Sequence, residues 1–104
     1  MCSADNEHEF AINMRFIWDE NKRQANLNKH GLDFSNAEQV FQGPIVVYED
    51  NRYIYNEQRM IAVGLLQDAV VLIVHIELAN EIRIISMRKA TKNESNIYWQ
   101  QVCY

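Results

Sequence analysis

Cysteine, proline and glycine are scarce in this chain, with two, one and three copies in 104 residues. Cys2 and Cys103 stand near opposite ends, without the close spacing of a zinc site or a redox pair, so both read as reduced thiols. His8, His30 and His75 are scattered and have no His or Cys at ligand spacing, so no metal is expected. No Ser-His-Asp order, glycine-rich phosphate loop or close acidic pair is present, which removes most hydrolase, nucleotide-binding and metal-dependent nuclease readings; no cofactor is expected. The longest apolar run, Ala69 to Val74, is far short of a bilayer span, and the acidic start lacks the basic and apolar blocks of a secretory signal. The expected setting is the cytoplasm, with no membrane partner.

Positive charge is also in short supply. A net charge of −4 argues against non-specific binding to nucleic acid, which needs a cationic surface to displace counterions. The distribution weakens that objection. Residues 1–14 carry Asp5, Glu7 and Glu9 and no Lys or Arg, which leaves 10 basic against 11 acidic side chains in 15–104, with the cations bunched at 22–29 and 83–92.

What the chain does have is a composition that is 48% hydrophobic, enough for one ordinary small core. We divide it into an acidic N-terminal extension, 1–13, expected to stay mobile or pack late, and a single domain, 14–104. Met14 to Trp18 reads as a short strand. Asp19 is placed to cap a helix over 20–30 that Gly31 ends in the left-handed conformation. Ser35 with Glu38 matches a capping box for a second short helix reaching Phe41, stopped by Gly43-Pro44. Strands follow at 45–49, 58–66, 69–76 and 82–88, joined by short polar turns that imply antiparallel neighbours. The 69–76 strand, apolar on both faces apart from His75, belongs at the centre. Thr91 with Glu94 opens a last helix with an apolar stripe of Ile97, Tyr98 and Val102. The fold class is α+β: an antiparallel sheet of four or five strands with N-terminal helices and a C-terminal helix.

Cations on these elements are the chemical feature. If side chains alternate along 82–91, Arg83 shares a face with Ile85 and Met87, and Arg88 the other with Ile84 and Ser86, so one arginine leaves the core. Each either meets a carboxylate of its own fold or grips an external phosphate or carboxylate. Lys22, Asn26, Lys29 and His30, at i, i+4, i+7 and i+8, form one helix ridge: a solvated face, or an anion contact. The first helix holds only Ala25 and Leu27 as apolar side chains, which favours the second meaning. Arg59, beside Glu57, is either held by that acid or offered to a ligand. His75 reads as a satisfied core histidine. Trp18 and Trp99 read as core, although an exposed Trp18 could stack a base. Such a set suits a phosphodiester whose own 2′-hydroxyl is the nucleophile, so RNA is the natural substrate and no metal is required.

The order Phe16-Ile17-Trp18-Asp19, Lys22, Asn26, Lys29-His30-Gly31, Phe34, Ala37, Phe41, Arg59, Gly64, Arg83-Ile84-Ile85-Ser86-Met87-Arg88, Ala90, Glu94 and Tyr98 resembles the BrnT family of bacterial toxins over about residues 14–100. The resemblance implies a RelE-like fold and a metal-independent cut in RNA that shuts down translation. It also implies a BrnA-like ribbon-helix-helix antitoxin that neutralises the toxin and touches operator DNA on its behalf. Among site residues it implies Arg59 and Arg88 as phosphate or transition-state contacts, and Lys22, Lys29 and His30 as binding or proton-transfer candidates. Ser95 departs from the Arg many members carry there. We therefore expect an endoribonuclease with Arg59, Arg88, His30 and Lys22 as catalytic residues and Lys29, Asn26, Arg83 and Trp18 contacting RNA. The alternative is a catalytically weak binding module that acts with its antitoxin as a transcriptional autorepressor.

Overall fold

A computed structural model describes residues 14–52 and 56–103; the acidic extension lies outside them. Strand β1 (Arg15–Trp18) leads directly into helix α1 (Glu20–His30). A 3-10 turn (Phe34–Asn36), helix α2 (Ala37–Phe41) and strands β2 (Val46–Glu49), β3 (Met60–Leu66), β4 (Ala69–Glu77) and β5 (Glu81–Lys89) follow, and helix α3 (Lys92–Cys103) closes the chain. The five strands make one sheet in the order β1-β5-β4-β3-β2, with β4 at its centre as its two apolar faces require.

The sheet is mixed, which corrects the antiparallel expectation. β2 to β5 alternate in direction, while β1 runs parallel to β5, pairing Arg15 with Glu81 through Trp18 with Ile84. Short turns dictate direction only for strands they join. β1 meets its neighbour after two helices and three strands, a connection long enough for either sense.

The local signals explain most boundaries. Asp19 accepts amide hydrogens from Asn21 and Lys22 at 2.8 and 3.2 Å, and Gly31, at φ 72°, ends α1. Thr91 and Glu94 form the expected reciprocal box, Thr91 N donating to Glu94 at 2.8 Å and Glu94 N to Thr91 Oγ1 at 3.1 Å. The Ser35–Glu38 box does not form. Asp33 accepts from Ser35 N at 2.9 Å, the chain takes a 3-10 turn there, and α2 begins only at Ala37 without a side-chain cap.

Helices cover both faces of the sheet. On one, Phe34, Ala37, Val40 and Phe41 pack against Ala62, Ile73, Ile82, Ile84 and Met87. On the other, Tyr98 and Val102 of α3 pack on Ile61, Val63, Val70 and Leu72, and Tyr98 donates to the Pro44 carbonyl at 2.7 Å. Ile97 is not part of an inward stripe, being 46% exposed, and Trp99 is not core, at 41%. His75 is fully buried, near the Ile73 carbonyl (3.2 Å) and Glu77 (3.0 Å), as a satisfied core histidine should be.

One irregularity places the arginines. Val74 pairs with Ser86 but His75 with Ile84, so Ile85 is an extra residue bulged out of β5. Alternation slips by one there: Ile82, Ile84 and Met87 all enter the first core, and Arg83 and Arg88 therefore share the opposite face. The expectation of opposite faces fails because it assumed an unbroken strand.

Candidate functional site

Three cations meet at the corner where β1 becomes α1. Lys22, in the first turn of α1, Arg59, immediately before β3, and Arg83, midway along β5, line one small cavity of about 160 Å³ together with Asp19, Glu57, Ile84 and Ile85. Each position has a local cause. Asp19 caps α1 and so fixes the turn that carries Lys22. Arg59 is held by its main chain, whose carbonyl accepts from Asp50 N at 2.8 Å and continues the β2–β3 ladder. Arg83 pairs with Ile76 across the sheet, and Met60 with His75, so Arg59, next along β3, reaches the same face as Arg83.

Arg83 donates through Nη2 to both oxygens of Glu57, at 3.2 and 3.0 Å, and the pair is close to half exposed. Its Nε is buried with no hydrogen-bond partner among the described residues. Asp19 is committed to the helix amides, while Glu57 bonds only a side chain. The cavity thus has three cations against two carboxylates, a net positive site.

Arg88 lies elsewhere. It forms a two-pronged pair with Glu94, Nη1 to Oε1 and Nη2 to Oε2 both at 2.9 Å, clamping the start of α3 to β5. The Arg88 guanidinium and the Thr91 amide hold the Glu94 carboxyl down at about 2. The depression over Arg88 is larger, about 350 Å³, but its charged lining is Arg52 and Arg88 against Glu49, Asp50 and Glu94. Arg52 grips the buried Asp50 at 2.8 and 2.9 Å. A net acidic surface is the wrong sign for a phosphate. A still larger hollow of about 510 Å³ between β2 and α3 is apolar, with Val46, Val47, Tyr48 and Ile97 in its wall. It holds no cation to clamp an anion, its one carboxylate, Glu94, is committed to Arg88, and the Tyr98 hydroxyl is committed to the Pro44 carbonyl.

The helix ridge is broken. Lys22 and Lys29 are exposed and His30 half-buried, but Asn26 is the buried residue of α1. Its amide nitrogen donates to the Leu32 carbonyl at 3.1 Å and its oxygen accepts from Met87 N at 3.1 Å. β1 ends opposite Ile84, so Asn26 supplies the partner that a longer β1 would have given Met87. Both ends of its amide are spent inside the fold. His30, eight residues after Lys22, sits about 12 Å along the helix axis from the cationic cavity. Trp18 packs edge-on to Phe34 at 6.5 Å, on the covered face of the sheet. Sequence reasoning did not single out Glu57 as a site residue; its place two positions before Arg59 was the available signal. Among the described residues no three His, Cys, Asp or Glu side chains group closely enough to hold a metal ion, and no helix is long and apolar enough to cross a membrane.

No curated protein matches the chain. A solved structure does: the 1.1 Å crystal structure of the Brucella abortus ribonuclease toxin, BrnT, at 30% sequence identity and a TM-score of 0.60, covering 76% of this chain and 99% of that one. The family described as the ribonuclease toxin, BrnT, of type II toxin-antitoxin systems matches residues 18–94, a span that runs from the β1–α1 corner through every cavity-lining residue to Glu94. This chain belongs to the BrnT family of ribonuclease toxins of type II toxin-antitoxin systems.

Proposed function

We propose that this chain is a metal-independent endoribonuclease that arrests translation by cutting RNA at the Lys22–Arg59–Arg83 cavity. The observation that carries the reading is the net positive charge of that cavity, set on rigid elements within a chain that is acidic as a whole. Its volume of about 160 Å³ suits a phosphate group better than a drug-sized ligand, for which sites begin at about 300 Å³. Two guanidiniums offer planar forks to non-bridging phosphate oxygens and neutralise the charge that grows on them in the transition state. The nucleophile is the substrate's own 2′-hydroxyl. Its oxygen bonds to phosphorus, the bond from phosphorus to the 5′-oxygen breaks, and the products end in a 2′,3′-cyclic phosphate and a 5′-hydroxyl. Arginines supply the charge neutralisation for which other nucleases use a metal.

In this reading Arg88, on the same sheet face and about 15 Å along β5 from Arg83, stays paired with Glu94 and holds α3 in place rather than touching the substrate. Lys29 and His30 meet the chain of nucleotides farther along α1. The partner is a BrnA-like antitoxin that covers the cationic corner in the resting cytoplasm and carries the contact with operator DNA. The RelE-like architecture belongs to the same proposal. A second reading, a weakly catalytic module that mainly serves the antitoxin, is favoured by the carboxylates already paired with Arg83 and Arg88.

Expression of the chain alone in bacteria separates the two. The nuclease reading expects growth arrest, relieved by Arg59→Ala or Arg83→Ala and by co-expression of the antitoxin. Harmless expression of the folded wild-type chain contradicts it.

A further inference from the structure

Cutting RNA through its 2′-hydroxyl needs a group that removes the proton, and the cavity's own composition narrows the choice. Lys22, Arg59 and Arg83 carry donors only. Ile84 and Ile85 are apolar, and the Oδ1 of Asp19 is held by two helix amides. Glu57 remains. It is 44% exposed and therefore open to a substrate, and its bond to Arg83 holds it beside one of the guanidiniums that line the cavity. His30 is at the other end of α1, and His75 is buried on the opposite core face against Phe41.

Resting on the nuclease reading above, we propose that Glu57 is the general base of the reaction: its carboxylate takes the proton of the 2′-hydroxyl as that oxygen attacks phosphorus. Arg83 then serves two purposes. It orients Glu57 before substrate binds, and it shares its fork with the phosphate oxygens afterwards, since its Nε has no bond to give up among the described residues. The proton needed by the departing 5′-oxygen comes from the Lys22 ammonium, because guanidiniums hold theirs more tightly. Glu57 ends protonated and Lys22 neutral, and exchange with water restores both. No oxidant, metal or co-substrate enters the balance.

The test compares wild type, Glu57→Gln and Glu57→Asp on a labelled single-stranded RNA in EDTA, with cleavage rate under single turnover and RNA affinity measured separately. Glutamine keeps the size and the carbonyl that accepts from Arg83 but cannot take the proton. The proposal expects Glu57→Gln to slow cleavage by at least about 100-fold. Affinity should be unchanged or tighter, because a negative charge leaves the cavity; a merely misfolded site would weaken both. Glu57→Asp, which keeps a carboxylate on a shorter stem, should recover part of the rate and serves as the readout if the Gln variant does not fold. Cleavage by folded Glu57→Gln within about threefold of wild type overturns the base assignment and leaves the nuclease reading standing. A folded wild-type chain that leaves RNA intact overturns both.

Discussion

At the scale of single residues, Asn26 and Arg83 show how polar side chains divide between holding the fold from inside and staying half-exposed at its surface. Asn26 was legible as an unusual polar position on a helix poor in apolar residues, and the sequence favoured RNA contact. What the sequence did not contain was the end of β1 at Trp18, which leaves the Met87 amide without a strand partner and makes Asn26 the substitute. Replacing Asn26 with Ala should destabilise the domain by about 2–3 kcal/mol, because two buried partners, Leu32 O and Met87 N, lose their bonds at once. Urea unfolding measures it, and a loss below about 0.5 kcal/mol would show that water or backbone shifts replace the amide. Arg83, by contrast, was legible as a charge that had to find an anion, and it has one in Glu57. That match is half-exposed, so it is a weak ion pair that a phosphate can outcompete.

At the scale of elements, caps and turns were readable wherever the signal is local. Asp19, Gly31 and the Thr91–Glu94 box act over three or four residues, and each forms as its spacing implies. The Ser35–Glu38 box failed to a competing local signal, Asp33, two residues upstream. The bulge at Ile85 could not be read at all, since it depends on how β5 matches β4. Yet it decides that Arg83 and Arg88 share a face. Two consequences are measurable. A Cβ on Gly64 in β3 would lie 2.8 Å from Val40 Cγ1 and 2.9 Å from Ile45 Cγ2, both on stiff, buried β-branched side chains. Gly64→Ala should therefore cost about 1–3 kcal/mol, while an unchanged unfolding midpoint would mean that α2 floats freely over the sheet. Glu94 tests the α3 clamp by its titration. Its carboxyl falls from 4.5 to about 2 in the folded chain, so the unfolded chain binds more protons between those values and stability is lost as pH falls through that window. The thermal midpoints of wild type and Glu94→Gln should differ most above pH 4.5 and converge toward about pH 2. A difference that does not change with pH would remove Arg88 as the cause.

At the scale of the whole molecule, the acidic total conceals a division of charge. The corner holding Lys22, Arg59 and Arg83 is net positive, the neighbouring depression holding Arg52 and Arg88 is net negative, and β5 runs between them. The α+β class, the central position of β4 and the family were readable from periodicity and motif order, and the strand number only as four or five. The parallel pairing of β1 was not, because its partner lies more than sixty residues away. Of the site, Lys22, Arg59 and Arg83 could be named from the sequence, but their meeting point could not, and neither could the distance of His30 from it or the presence of Glu57 inside it. Three elements far apart in the chain build that corner, and the contact among them is a tertiary fact.

The central claim is that this corner cuts RNA with arginine in place of a metal, and purified wild-type and Arg83→Ala proteins, both checked for folding and incubated with end-labelled RNA in EDTA, test it most directly. The account predicts wild-type cleavage to a 2′,3′-cyclic phosphate end and a loss of at least about 100-fold in the variant. Cleavage that requires an added divalent cation, or that survives unchanged in Arg83→Ala, would contradict it.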